Sequence, residues 1–198
     1  MEGGMEEQTL TREERAQLLR LARQAIEAAA NRRPPPPIDP AEFSPRLFEP
    51  GATFVTLYDE NGDLRGCIGA LEAYQPLVED VREHAAAAAM LDYRFPPVRP
   101  EEVPGLRIEI SRLTPPQPLE YQTPAELIER LRPGIDGVIL RDGPQRATFL
   151  PQVWQKLPDP YEFLSHLCLK MGAPANLWQR KKLQVFTYQV EEFKEGED

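Results

Sequence analysis

Apolar residues recur along this chain at two spacings, one typical of helices and one typical of strands. Leu18, Ala22 and Ile26 follow helical spacing, and Thr11 with Glu14 forms a capping-box pattern just before them. Later helical patterns begin at Pro76, Thr123 and Asp159, and strand-like patterns cover 52–58, 64–71, 106–111, 137–140, 146–150 and 183–190. We therefore expect about four helices and five or six strands.

The order of these elements favours an α+β fold. The strands come in pairs joined by short turns, and the helices lie between the pairs instead of alternating with single strands. Asn61-Gly62 marks the clearest turn, because both residues tolerate positive φ, and it predicts a hairpin of 52–58 with 64–71. We expect a mixed or antiparallel sheet flanked by helices.

The sequence indicates one domain between two polar ends. Residues 1–9 and 194–198 are acidic and are predicted to be flexible, so the domain covers 10–193. A proline-rich segment at about 112–135 interrupts the strands and is interpreted as a small lobe. The acidic end is expected to fray from Glu191 onward.

Composition and charge narrow the class of protein. The chain has 198 residues and a net charge of −9, which argues against a general binder of nucleic acid or of an anionic membrane. It has two distant cysteines and no C-x-x-C motif, which favours reduced thiols in a cytoplasmic protein. No apolar run approaches the roughly 18 residues of a membrane span, and no signal-peptide pattern is present. The 22 prolines would fit a thermophilic source.

The stretch 64–71 carries the most suggestive chemistry. It places Cys67 between Gly66 and Gly69, and glycines in a strand indicate a bulge or a close approach by another group. Arg65 lies two residues away, on the same face of a regular strand, where a cation would favour the reactive thiolate. Exposed amides at these glycines would also suit an anion. A nucleophile needs a base, and His84 in the next helix is the candidate; a core histidine is the alternative interpretation.

Other polar residues add a second cluster but no metal site. Asp92 and Arg94 follow that helix and would line the same crevice if their loop folds back over the Cys67 strand. Cys168 is predicted to be buried and His166 to be exposed. Because the two histidines and two cysteines are far apart in sequence, we expect no metal, and no phosphate-binding motif indicates a cofactor.

The string Leu64-Arg65-Gly66-Cys67-Ile68-Gly69 resembles the hallmark of the AMMECR-type domain family. The similarity continues in the family's order, over about residues 10–193, at Asp92-Tyr93-Arg94-Phe95-Pro96-Pro97-Val98, Leu113-Thr114-Pro115-Pro116, Gly134-Ile135-Asp136-Gly137-Val138, Leu150-Pro151-Gln152-Val153 and residues 163–172. The resemblance implies an α+β fold of two unequal subdomains, with the cysteine motif near the cleft between them.

The resemblance implies a role but no defined reaction. In microbes the family is similar to the A component of the AmmeMemoRadiSam system, which implies Memo-type and radical SAM proteins as partners. The leading hypothesis is binding of a small ligand or a partner segment. The alternative is an enzyme in which Cys67 is the nucleophile and Arg65 binds an anionic substrate group. The residues expected to contribute to binding are Arg65, Gly66, Cys67, Gly69, Asp92, Arg94 and Gln152.

Overall fold

The computed structural model describes residues 9–196, and the chain divides into two compact units. The first unit contains the chain up to Leu113 and from Glu191 onward, and the second unit is Thr114–Val190. Of the segment 112–135 that was interpreted as a small lobe, residues 114–135 form the first part of the second unit, which continues to Val190. The flexibility predicted for residues 1–8 and 197–198 lies outside the described residues.

The first unit is a five-stranded antiparallel sheet with two long helices. Its strand order is β2-β1-β4-β9, and β3 pairs with the start of β1. Two short 3₁₀ helices, Pro45–Phe48 and Pro100–Gly105, complete the unit. The elements, in chain order, are α1 (Arg12–Ala30), β1 (Pro50–Tyr58), β2 (Leu64–Gly69), β3 (Gln75–Pro76), α2 (Leu77–Met90), β4 (Arg107–Leu113) and β9 (Val190–Lys194).

The second unit has its own four-stranded antiparallel sheet, in the order β5-β8-β6-β7. Its core includes Trp154, whose ring stacks on Phe163 with the ring centres 3.7 Å apart. The elements are β5 (Gln117–Pro118), α3 (Pro124–Arg130), β6 (Gly137–Asp142), β7 (Gln145–Phe149), a 3₁₀ helix (Pro151–Gln155), α4 (Pro160–Lys170), α5 (Leu177–Arg180) and β8 (Gln184–Tyr188). The two antiparallel sheets and their helices confirm the predicted α+β class.

The predicted start of α1 is confirmed in detail. The Glu14 amide donates to the Thr11 hydroxyl at 3.2 Å, and the Glu14 carboxylate accepts from the Thr11 amide at 2.8 Å. Each bond satisfies an amide that the first helical turn leaves unpaired. The predicted apolar stripe of α1 is buried in the core of the first unit.

The small residues of α2 allow that helix to lie close to the sheet. Ala85, Ala88 and Ala89 are buried, together with Val55 and Leu57 of β1. Alanine has no atoms beyond Cβ, so the helix backbone can approach the strands more closely than larger residues would permit. The expected close packing of this helix is therefore confirmed.

The end of the chain is not frayed at Glu191, so that prediction is wrong. β8 and β9 belong to different sheets, and β9 pairs beside β4 in the first unit. The buried Glu191 carboxylate accepts from the Leu10 amide at 3.0 Å and forms ion pairs with Arg15 at 2.7 Å and Arg112 at 3.2 Å. These partners come from distant parts of the chain, so the acidic composition of the end gave no sign of this half-buried strand.

The described residues contain nine strands, more than the five or six expected. Two of the additional strands, β3 and β5, are two residues long and have no detectable periodicity. None of the helices in residues 9–196 is both long enough and apolar enough to cross a bilayer.

Candidate functional site

The position of Gly66 in β2 shows which face of the sheet carries the Cys67 side chain. A Cβ atom at Gly66 would lie 2.2 Å from the carbonyl oxygen of Ala88, so the side-chain direction at this position faces α2. Because successive residues of a strand point to opposite faces, the Cys67 side chain lies on the face of the sheet away from α2. The glycine is required here by the close approach of the helix backbone.

Gly69 leaves room for a different neighbour. A Cβ atom there would lie 2.3 Å from the carbonyl oxygen of Thr53 and 2.5 Å from the Phe54 ring. The register between β1 and β2 also shifts at Leu57 and Tyr58. The prediction that the glycines mark a bulge or a close approach is therefore confirmed on both counts.

A row of polar side chains crosses the sheet from Cys67. Thr56 pairs directly with Cys67 in β2 and with Glu109 in β4. The Thr56 hydroxyl lies 3.3 Å from the Cys67 sulfur, and the ammonium of Lys194 in β9 lies 3.1 Å from the Glu109 carboxylate. We call Cys67, Thr56, Glu109 and Lys194 the polar row; it spans all four main strands of the sheet.

The polar row is partly shielded from water. Thr56 and Glu109 are each 8% exposed, and Cys67 is half-buried. The Tyr58 hydroxyl donates to the Glu109 carboxylate at 3.4 Å, and burial, together with the negative charge of Glu109, raises the pKa of Tyr58. The phenol therefore stays protonated at neutral pH. The site offers a thiol, hydroxyls, a carboxylate and an ammonium to a polar ligand.

The loop after α2 folds back onto the motif strand. The Cys67 amide donates to the Asp92 carboxylate at 2.9 Å. The Arg94 guanidinium donates to both Asp92 oxygens, at 3.0 and 2.7 Å, and it holds the pKa of this buried carboxyl well below its usual range. The structure thus brings Asp92 and Arg94 to Cys67. The amide considered for an external anion is occupied by the protein's own carboxylate.

Arg65 has a different partner from the one expected. Its Nε donates to Glu102 at 3.2 Å, and its Nη2 lies 3.4 Å from the second oxygen of that carboxylate. The hydrogen bond from the Arg99 amide lowers the pKa of Glu102 most, and the hydrogen bond from the Arg65 side chain lowers it further. The charge of Arg65 is therefore compensated by Glu102, and the arginine linked to the Cys67 backbone through a carboxylate is Arg94.

The structure does not bring His84 and Cys67 together. His84 Nδ1 lies 3.1 Å from the Asp80 carboxylate, which also accepts from the Thr53 amide at 2.8 Å and the Thr53 hydroxyl at 2.7 Å. Since His84 is on α2 and the Cys67 side chain points away from α2, the sheet separates the two groups. The interpretation of His84 as a hydrogen-bonded core histidine agrees with this geometry.

The remaining predicted residues lie in the second unit. Gln152 is exposed in the 3₁₀ helix Pro151–Gln155. His166 is exposed and Cys168 is fully buried, as predicted, and burial raises the pKa of the Cys168 thiol. Within residues 9–196 no group of three or more potential ligands is arranged to hold a metal ion.

Sequence reasoning missed Thr56, Tyr58, Glu109 and Lys194. The alternation in 106–111 predicted a polar face that includes Glu109, but nothing in the sequence showed which strand would lie beside it. Thr56 did not stand out in the sequence, because most residues around it in 52–58 are apolar. Only the register of β2, β1 and β4 makes these residues neighbours.

The comparisons with known proteins identify the family. The family model described as AMMECR1 matches residues 19–193. A protein of Methanothermobacter thermautotrophicus is 40% identical over 191 residues, covering 94% of this chain and 96% of its own. Protein MK0488 of Methanopyrus kandleri is 41% identical over 199 residues, covering 95% of this chain and 91% of its own. The chain therefore belongs to the AMMECR1 family.

A solved structure agrees with the fold. The crystal structure of the uncharacterised protein PH0010 from Pyrococcus horikoshii has a TM-score of 0.66 and 37% identity, and the match covers 90% of each chain. The resemblance that the motifs indicated is thus confirmed, together with the α+β class.

Proposed function

We propose that the face of the first sheet bearing the polar row binds a small polar ligand or an extended partner segment. The observation that carries the proposal is the row itself: a thiol, a hydroxyl, a carboxylate and an ammonium aligned across four strands. The groups of the row contact one another and are only partly shielded from water, so a polar ligand can use their remaining hydrogen-bonding capacity.

In this proposal the rest of the motif supports the row. Gly66 leaves space for the backbone of α2, and Gly69 leaves space for Phe54. The Asp92 carboxylate, held by Arg94, binds the Cys67 amide at the edge of the sheet. Such supporting contacts hold a site within the narrow tolerance that recognition requires. Arg65 is paired with Glu102, and its contact with a ligand remains a prediction. Gln152 remains an expected contact from the family motif.

The proposed partners come from the resemblance to the A component of the AmmeMemoRadiSam system. We propose that the protein acts alongside Memo-type and radical SAM proteins in a cytoplasmic pathway. The sheet face would then present a substrate or a segment of one of these proteins, while the redox chemistry takes place elsewhere. Nothing in the polar row requires a metal or cofactor of its own.

The alternative activity, with Cys67 as a nucleophile, has one supporting observation. The Thr56 hydroxyl is placed to donate a hydrogen bond to the sulfur, at 3.3 Å. No base is hydrogen-bonded to the sulfur among the described contacts, and Arg65 is paired with Glu102. If iodoacetamide alkylates Cys67 no faster at neutral pH than it alkylates free cysteine, this alternative loses its basis.

The binding proposal is tested by protection of Cys67. The purified protein is treated with iodoacetamide alone, with a small-molecule extract of the source cells, and with purified Memo-type and radical SAM proteins. Mass spectrometry then measures the alkylation of Cys67. We expect at least one addition to slow the reaction several-fold, because a ligand on the row covers the sulfur.

A matched variant provides the control. Glu109→Gln keeps the shape of the row but removes its carboxylate, so the protection should weaken while the rate without additions stays similar. Alkylation of Cys67 that is unaffected by every addition would contradict the proposal.

A further inference from the structure

The turn between β1 and β2 contains the one Asn-Gly pair of the chain. Asparagine occurs at three positions in the sequence, and the other two asparagines are followed by Arg32 and Leu177. A glycine after an asparagine leaves the backbone nitrogen unhindered, because glycine has no Cβ atom. Asn61 and Gly62 are also exposed to water. This pair is therefore the position in the chain where an asparagine side chain is converted to a carboxylate most readily.

The reaction open to the pair is cyclisation followed by hydrolysis. The Gly62 backbone nitrogen, after giving its proton to water, attacks the carbonyl carbon of the Asn61 side chain. A nitrogen–carbon bond forms, the carbon–nitrogen bond of the side-chain amide breaks, and ammonia leaves with a proton from water. Water then opens the cyclic imide and yields aspartate or isoaspartate. In isoaspartate the backbone runs through the former side chain, so the turn that leads into the motif strand gains a methylene group.

The structure keeps the attacking nitrogen occupied. The Gly62 amide donates to the Asp59 carbonyl oxygen at 3.0 Å, and Gly62 is fixed at a φ of +85°, in the left-handed region. A hydrogen bond from the protonated amide disfavours loss of that proton. The turn must therefore open locally before the nitrogen can attack.

The Asp59 carboxylate holds the turn closed. One of its oxygens accepts from the Asn61 amide at 2.9 Å and from the Asp63 amide at 3.0 Å. The Asp59 amide also donates to the Asp63 carbonyl oxygen at 2.9 Å. Aspartate is common in turns because its side chain bonds to the backbone two residues on. Here the carboxylate binds the residues on both sides of Gly62, which carries the attacking nitrogen.

We propose that Asn61 is a deamidation site and that the Asp59 carboxylate sets its rate by keeping the turn closed. Asp59 is in this sense a positioning residue, because it acts on the reacting atoms through the backbone. The proposal stands whether or not the polar row binds a ligand, since no residue of the turn belongs to that row.

Mass spectrometry of incubated protein tests the proposal. The wild type, Asp59→Ala and Asp63→Ala are kept in the native state at neutral pH, and conversion of Asn61 to aspartate and isoaspartate is followed over time. Asp59→Ala should react about tenfold faster than the wild type, which corresponds to a loss of about 1.4 kcal/mol of hydrogen-bond free energy. The Asp63 carboxylate accepts no hydrogen bond among the described contacts, so Asp63→Ala should react within about threefold of the wild type.

Two further measurements separate opening of the turn from unfolding of the protein. In urea the three proteins should lose the Asn61 amide at similar rates, all faster than the native wild type. In native Asp59→Ala, hydrogen exchange should be faster at the Gly62 amide and unchanged at the Val55 amide in the middle of β1.

Four results would overturn the proposal. Equal rates in native and urea-unfolded wild type would show that the turn does not protect the pair. Equal rates in native Asp59→Ala and wild type would show that the carboxylate does not hold the turn. If Asp63→Ala reacts as fast as Asp59→Ala, the charge of the turn sets the rate, and not the hydrogen bonds. Faster exchange at Val55 in Asp59→Ala would assign the effect to unfolding.

Discussion

The two faces of the first sheet differ in what their side chains contact, although neighbouring residues of the same strands supply them. On one face, Val55, Leu57 and Ile108 pack beneath the helices, and Gly66 lets the α2 backbone approach. On the other face, one residue along, Cys67 begins the polar row. Apolar packing and buried ion pairs account for the first face, whereas the second carries polar groups that contact one another and are partly shielded from water. The difference explains the glycines of the motif by close packing, and it leaves Cys67 on the face for which we propose recognition.

The largest expected effect is on the packed face, at its buried ion pair. Glu191→Ala leaves the Arg112 guanidinium, whose pKa burial already lowers, without its carboxylate partner. Removing one partner of a buried pair costs about 3–5 kcal/mol of unfolding free energy, which urea unfolding would measure. The exposed neighbour is the control: Glu192→Ala should change stability by less than about 0.5 kcal/mol. Equal effects of the two variants would contradict the buried role of Glu191.

Mutations at the adjacent positions 66 and 67 should differ in how much they destabilise the protein. Gly66→Ala places a Cβ atom against the Ala88 carbonyl oxygen, so the helix must shift, at a cost of about 2–3 kcal/mol. Cys67→Ala, on the other face, should cost less than about 1 kcal/mol. If thermal unfolding shows Cys67→Ala to be less stable than Gly66→Ala, the proposed difference between the two faces is wrong.

The pH dependence of stability should report the carboxylate at the sheet edge. The pKa of Asp92 is depressed in the folded state, so its contribution is complete above the unfolded pKa of about 4 and is lost as the pH falls. Asp92→Asn should therefore be less stable by about 2 kcal/mol at pH 7, since a charge-assisted hydrogen-bond network is lost. The difference should narrow below pH 4. A difference that is constant from pH 7 to pH 3 would contradict the assignment.

The smallest expected effect concerns the polar row. Thr56→Val removes the hydroxyl beside the Cys67 sulfur and retains most of the side-chain volume. We expect a slowing of Cys67 alkylation by iodoacetamide of about threefold, because a hydrogen-bond donor beside the reacting sulfur is replaced by a methyl group. Ser111→Ala, on the same face but without a described bond to the sulfur, is the control. If Cys67 is alkylated equally fast in Thr56→Val and in the wild type, the Thr56 hydroxyl does not affect the reactivity of the sulfur.

Local patterns predicted much of the fold, because capping and turn chemistry act over a few residues. The capping box at Thr11, the hairpin turn at Gly62 and the close-packed alanines of α2 are all found. The strand β9 was missed because Glu191 becomes favourable only beside Arg112, a contact that short-range patterns do not encode. The site was predicted only in part for the same reason: Cys67 was identified, but strand register supplies Thr56 and Glu109 as its neighbours.

The most direct test of the central claim uses the two cysteines as reporters. Cys67 lies half-buried on the polar row, and Cys168 is fully buried in the second unit. Iodoacetamide should label Cys67 in the native protein at least about a hundredfold faster than Cys168, because a buried thiol reacts only when the structure opens. In urea the two rates should become similar. If both thiols of the native protein are labelled equally slowly, the face that carries Cys67 is closed and cannot be a recognition surface.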